Sequence, residues 1–202
     1  MKETWSLKNV MLMSILGVLF AAIYLLAFQG GLSIQILLTP LGLSRFSFEL
    51  VYGVWFMAAT VAMYIIRKPG VALVTEVLAA GIELFMGNSG GVVVILTGVI
   101  QGLGCELAFL LFRYKRFDLR SMTCAGVFAA VFIFGYELLY LEYYKLNPAL
   151  LLAMLAVRFT SAFVFSALIS KIACDGLLRT GVLKNYAIGA GQQDAEIMED
   201  DE

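Results

Sequence analysis

Six stretches of this chain, at about 8–28, 48–66, 70–86, 91–112, 122–141 and 149–173, are apolar for nearly their whole length. Each meets or approaches the roughly 20 residues that an α-helix needs to cross a bilayer. So much apolar sequence leaves little from which to build a soluble surface. Charged residues make up 14% of the chain and hydrophobic ones 61%, against roughly 25% charged in soluble domains. The pattern predicts an all-α integral membrane protein with six spans. At 202 residues it reads as a single membrane domain, 1–189, followed by a disordered acidic tail, 190–202. The first run lacks a small-x-small cleavage pattern and reads as a retained helix rather than a signal peptide. Between the first two runs, 29–47 holds Gly30, Gly31 and Pro40. It is expected to form a re-entrant or surface-lying segment over the outer mouth of the bundle. The short third run ends in Gly87-Asn88-Ser89-Gly90-Gly91, a turn tolerated at membrane depth only where it lines a cavity.

Lysines and arginines set the orientation. Lys2, Lys8, Arg67, Lys68, Arg113, Lys115, Arg116, Arg120, Lys171, Arg179 and Lys184 fall on one side of such a bundle, against Arg45 and Lys145 on the other. Both termini are therefore expected to be cytoplasmic. No internal repeat is visible, which gives no support to an inverted-repeat carrier.

What lies inside the apolar runs points to function. Glu76, Glu83, Glu106 and Glu137 all sit within them, and the one cation at comparable depth is Arg158. Acidic side chains at a helix centre cost roughly 2.5–3.5 kcal/mol on insertion scales and mark pathways or binding sites. Excess negative charge at depth suits a cationic or donor-rich ligand. Arg158 reads as the partner of one buried glutamate rather than as a ligand contact.

Helical spacing places Glu49, Tyr52 and Phe56 on one face with Trp55 adjacent, an acid beside ring faces that attract a flat cation. An interfacial aromatic belt is the competing reading. Seven residues separate Glu76 from Glu83, so they share a face, and Asn88 follows in the glycine turn. Gln101 and Glu106 lie among Gly98 and Gly102, which permit close approach to the backbone. Glu76 and Glu106 lie nearer the cytoplasmic side, where Arg67, Lys68 or Arg113 offer partners. Tyr136 and Tyr140 share a face that could close the side of a pocket. On the first helix Ser14, Gly17 and Ala21 form a small-residue stripe, suited either to internal packing or to docking a separate membrane subunit.

Several classes drop out. The chain has no histidine, which removes zincins, Ser-His-Asp triads and histidine relays. Cys105, Cys124 and Cys174 show no CxxC spacing, so metal and disulfide readings yield to packing. Nothing can activate Ser89 as a nucleophile. There is no phosphate-binding Gly-x-x-x-x-Gly-Lys-Ser/Thr loop. No enzyme activity, cofactor or nucleic-acid partner is expected.

The order Glu49-x-x-Tyr52-Gly53-x-Trp55-Phe56, Arg67-Lys68-Pro69-Gly70, Glu76, Glu83, Gly87-Asn88, Gln101-Gly102-x-Gly104-x-Glu106 resembles the YkoE family over roughly residues 8–185. These are substrate-binding S components of energy-coupling factor (ECF) vitamin transporters. The resemblance implies a six-helix membrane bundle that captures thiamine, or its hydroxymethylpyrimidine (HMP) precursor, from outside. It also implies a transmembrane coupling subunit and two cytoplasmic ATPases as partners, with Gly17 and Ala21 on the docking surface. Segment 29–47 and the acidic tail match nothing in the family. The competing function is an autonomous ion-coupled carrier of a small organic cation, with the glutamates as its relay. The topology is open to a direct measurement. A cysteine placed at Ser89 is expected to label from outside, and one at Arg116 only after permeabilisation. Labelling of both from one side would overturn the arrangement.

Overall fold

The structure, a computed structural model, describes residues 5–190, and those residues are helical throughout apart from short turns. The acidic tail expected at 190–202, Ala190 excepted, lies outside the described residues. In chain order the α-helices are α1 (Leu7–Leu38), α2 (Phe46–Val51), α3 (Met57–Ile66), α4 (Val71–Phe85), α5 (Val93–Leu111), α6 (Leu119–Tyr140), α7 (Pro148–Ala162) and α8 (Ser170–Arg179). A 3-10 segment, Tyr52–Phe56, joins α2 to α3, and a π-helical segment, Phe163–Ile169, joins α7 to α8. Five helical stretches are long and apolar enough to cross a membrane: Leu7–Leu41, Phe46–Ile66, Val93–Leu111, Leu119–Tyr140 and Pro148–Arg179. At 15 residues α4 is shorter, about 22 Å long at 1.5 Å per residue.

α1 corrects one expectation. It begins at Ser6, whose side chain accepts from the Asn9 amide, and runs unbroken for 32 residues. Residues 29–38 therefore continue the helix rather than forming a re-entrant segment. Each glycine of the Gly30-Gly31 pair costs a helix only about 1 kcal/mol. The apolar run that follows keeps the ladder going, because a helix satisfies its own backbone whatever surrounds it. What stops it is Pro40, which lacks an N–H, followed by Gly42 at φ 71°.

α3 sits at the centre. Every residue from Ala58 to Ile66 is buried, as expected of a helix that is apolar all round. α4 packs between α1 and α5. The backbone of α5 comes so close that a Cβ on Gly98 would lie 2.5 Å from Ala80 Cβ. Ends of elements segregate. Trp5 Nε1 donates to the Pro69 carbonyl at 3.1 Å and Lys8 Nζ to the Asn185 carbonyl at 2.7 Å. Both described ends of the chain thus meet the α3–α4 turn side of the bundle. The α1–α2, α4–α5 and α6–α7 connections lie at the other end.

α6 starts earlier than its apolar pattern suggests because Asp118 and Ser121 form a reciprocal capping box. The Asp118 carboxyl is held below its ordinary range, first by the Ser121 amide that donates to it. A depressed folded-state pKa means this contribution is present above the unfolded value, about 3.9. It is lost as pH falls through the folded value. Asp118→Ala is expected to cost about 1 kcal/mol at neutral pH. Thermal melts of the purified protein should show the gap to wild type closing below about pH 4; a constant gap would assign the effect to something other than the ionised cap.

Candidate functional site

A cavity of about 330 Å³ opens among the ends of α1, α2, α4, α5, α6 and α7, at the end away from the chain termini. This is within the range of small-molecule sites, about 300–1,000 Å³. Its walls divide into two polar poles joined by rings.

At one pole Arg158, fully buried on α7, meets α2 and α6. Its Nε lies 2.5 Å from Glu49 Oε2 and its Nη2 2.7 Å from Glu49 Oε1. The same Nη2 stands 2.6 Å from Glu137 Oε2, close enough for an ion pair though without hydrogen-bond alignment. Tyr52 donates to Glu137 Oε1 at 2.6 Å, and the guanidinium lies 3.8 Å from the centre of the Tyr52 ring. Nη1 has no partner.

α4 supplies the other pole. Glu83 Oε1 accepts from Asn88 Nδ2 at 2.6 Å and from Trp55 Nε1 at 3.4 Å. Asn88 in turn accepts from the Gly90 amide at 2.8 Å, which fixes the glycine turn. Two turns deeper, Glu76 Oε2 accepts from Tyr24 at 3.0 Å and from the Ala59 amide at 3.1 Å. Tyr24 itself accepts from the Ala58 amide at 3.0 Å. Glu76 is thus held against the first turn of α3 by the Ala59 amide and Tyr24. Between the poles stands Trp55, 5.8 Å from Tyr52 and 6.4 Å from Phe48, ring centre to ring centre.

Among the described residues, the fully buried side-chain polar atoms without a hydrogen-bond partner are Glu76 Oε1, Glu83 Oε2, Glu137 Oε2 and Arg158 Nη1. All four residues line this one cavity. Buried polar atoms are normally paired, and the exceptions call for an explanation.

Known proteins bear on this arrangement. A family described as "ABC-type cobalt transport system, permease component" matches residues 8–132. The protein titled "Putative HMP/thiamine permease protein YkoE" of Bacillus subtilis (strain 168) is 37% identical over 187 residues, 93% of this chain and 92% of that one. A solved structure, "Crystal structure of an S-component of ECF transporter", superposes with a TM-score of 0.90 at 35% identity, covering 98% of each chain. The chain belongs to the YkoE family of ECF S components. It is a multi-pass membrane protein of a transporter family, not an enzyme.

Of the candidate binding residues singled out from the sequence, Glu49, Tyr52, Trp55, Glu76, Glu83, Asn88 and Gln101 come together on the cavity wall. Three do not. Phe56 is fully buried and its ring lies 5.7 Å from that of Tyr52, but it is packed behind that wall rather than on it. Tyr136 stacks on Tyr140 at 5.1 Å, and Tyr140 is the one that reaches the cavity. Glu106 accepts from the Gly70, Ala72 and Leu73 amides at 2.6, 3.1 and 3.3 Å and from Tyr114 at 2.8 Å. It serves as the N-terminal cap of α4. The helix-1 stripe is also placed differently. Gly17 and Ala21 are buried, and a Cβ on Gly17 would lie 3.2 Å from Leu78 Cβ. The close approach of Gly17 is to α4, within the chain, while Ser14 is exposed.

Sequence spacing did not point to Phe28 or Phe48 as wall residues; Glu137, read as one of the buried acids, and Arg158, read as the partner of a buried glutamate and paired here with Glu49, line the wall as well. Glu137 and Arg158 carried a signal, being opposite charges at similar depth. Phe48 and Phe28, paired at 5.9 Å, carried none. Removing the cation alone leaves two buried carboxylates facing each other. Arg158→Met is expected to cost about 3–5 kcal/mol, read as a loss of thermal stability. Adding Glu49→Gln and Glu137→Gln to it should restore part of the loss. A triple variant no better than the single one would show that charge balance is not what holds α2, α6 and α7 together.

Proposed function

We propose that this protein is the substrate-binding membrane subunit of an ATP-driven ECF vitamin importer, binding thiamine or its HMP precursor from the outside. The observation that carries this reading is that the four residues holding buried polar atoms without a hydrogen-bond partner all line one aromatic-walled cavity. Thiamine presents a fixed cationic ring and an aminopyrimidine whose amine donates. Carboxylate oxygens without partners at Glu76 and Glu83 suit the cation and the donors. Arg158 Nη1 suits an acceptor, and Trp55, Tyr52 and Phe48 offer faces for stacking. The printed name of the YkoE relative supports the same ligand class.

In this reading α4 joins the five longer helices as a sixth span, both termini are cytoplasmic and the cavity mouth faces outside. A transmembrane coupling subunit and two cytoplasmic ATPases supply the energy, since the chain has no nucleotide-binding loop of its own. Cobalt, named in the description of the matching family, finds no donor set here. The chain has no histidine, and no group of three His, Cys, Asp or Glu side chains converges among the described residues.

Calorimetry on the isolated chain with thiamine should show one site of sub-micromolar affinity, at least about 8 kcal/mol, without ATP or other subunits. Glu83→Gln should weaken it by roughly 2–4 kcal/mol, about 30- to 1000-fold, with the melting temperature of the empty protein little changed. An unchanged dissociation constant would remove Glu83 from the site. Uptake by the chain alone in sealed liposomes under an ion gradient would favour the autonomous carrier instead.

A further inference from the structure

The wall of the cavity depends on a change of helix type that the sequence does not announce. α2 stops at Val51, whose φ of −111° and ψ of 0° leave the helical region, and Tyr52–Phe56 follow as a 3-10 helix. With three residues per turn, side chains at i and i+3 eclipse. Tyr52 and Trp55 therefore stand in one column facing the cavity. An α-helix over the same residues would set them about 60° apart and bring Phe56 to within about 40° of Tyr52. Five residues is long for a 3-10 helix, and nothing in Tyr-Gly-Val-Trp-Phe demands one.

A side chain from another span meets this break. Ser161 of α7 accepts from the Gly53 amide at 2.9 Å and donates to the Leu50 carbonyl at 2.9 Å. One hydroxyl thus takes up a donor and an acceptor where the backbone ladder changes register. The approach is so close that a Cβ on Gly53 would lie 2.2 Å from the Ser161 carbonyl oxygen. One turn earlier on the same helix, Arg158 grips Glu49. Ser161 does not line the cavity.

We propose that Ser161 is a positioning residue for ligand binding: its hydroxyl holds the 3-10 turn that aligns Tyr52 and Trp55 as a stacking wall. The proposal rests on the reading of the cavity as a site for a flat cation. The role needs one small group that both donates and accepts, which serine and threonine provide, whereas alanine and valine do not.

The chain has two tryptophans, so a Trp5→Phe background leaves Trp55 as the sole reporter. In that background Ser161→Ala, Ser161→Thr and Ser161→Val are compared by three measurements. These are Trp55 emission and acrylamide quenching without ligand, calorimetric affinity for thiamine, and melting temperature. Ser161→Ala and Ser161→Val are expected to shift Trp55 emission and weaken thiamine by about tenfold or more, as misaligned rings would. Ser161→Thr should stay near wild type. Threonine and valine have the same shape, so their difference reads the hydroxyl alone, and it does so even if the alanine variant fails to fold. Unchanged Trp55 emission and affinity in Ser161→Val would overturn the proposal. So would equal losses in the Thr and Val variants, or a lowered melting temperature with emission and affinity intact. Absence of thiamine binding in the parent would sink the ligand reading instead, while the emission comparison would still test what holds the turn.

Discussion

A backbone amide at a helix start or break inside a bilayer has no water to turn to, and this chain meets that constraint by sending side chains across from other spans. The first turn of α3 gives its Ala58 and Ala59 amides to Tyr24 of α1 and Glu76 of α4. The first turn of α4 gives its amides to Glu106 of α5. The break between α2 and the 3-10 segment is served by Ser161 of α7. Each of these contacts also fixes how two spans sit against one another. The interruptions are therefore where the tertiary structure is fastened, and two of them border the cavity.

Arg158 works by a related logic with full charges. One guanidinium among Glu49, Glu137 and the Tyr52 ring ties together three spans. Such a cluster is costly to assemble and more costly to break, because either partner left alone is a buried charge. Its arrangement leaves Nη1 and one oxygen of Glu137 without hydrogen-bond partners, as Glu76 and Glu83 each leave one oxygen. The fold thus uses part of each polar group to hold itself and leaves the remainder without a hydrogen bond in residues that line the cavity.

How much of this could be read from the sequence follows from which quantities spacing encodes. Apolar run length gave the helices, and the seven-residue interval put Glu76 and Glu83 on one wall. Tyr52 and Trp55 were legible as wall residues, but Phe56 was placed with them only by assuming 3.6 residues per turn where the chain has three. The Gly30-Gly31 pair looked like an interruption, yet the helix passes through it, since intrinsic penalties of about 1 kcal/mol yield to context. Glu106 shows a different limit. Counting charged side chains offers arginines and lysines as partners, whereas the carboxylate binds backbone amides, which every residue carries and no pattern displays. The stripe of Ser14, Gly17 and Ala21 marked a close helix contact, but a stripe cannot say whether the neighbour is in the same chain.

The brevity of α4 reaches beyond packing. At about 22 Å it falls short of a hydrocarbon core of about 30 Å, and if the shortfall lies at its Asn88 end, that turn is recessed in the membrane. In the proposed orientation, a cation that reaches Glu83 has already moved through about a quarter of the membrane's electric field. With the full field contributing about 2.3 kcal/mol per charge at 100 mV, an interior-negative cell would tighten binding of a monovalent cation by about 0.6 kcal/mol before any other subunit acts. A neutral pyrimidine in the same cavity would feel nothing. Membrane voltage would then discriminate between the charged and the neutral ligand.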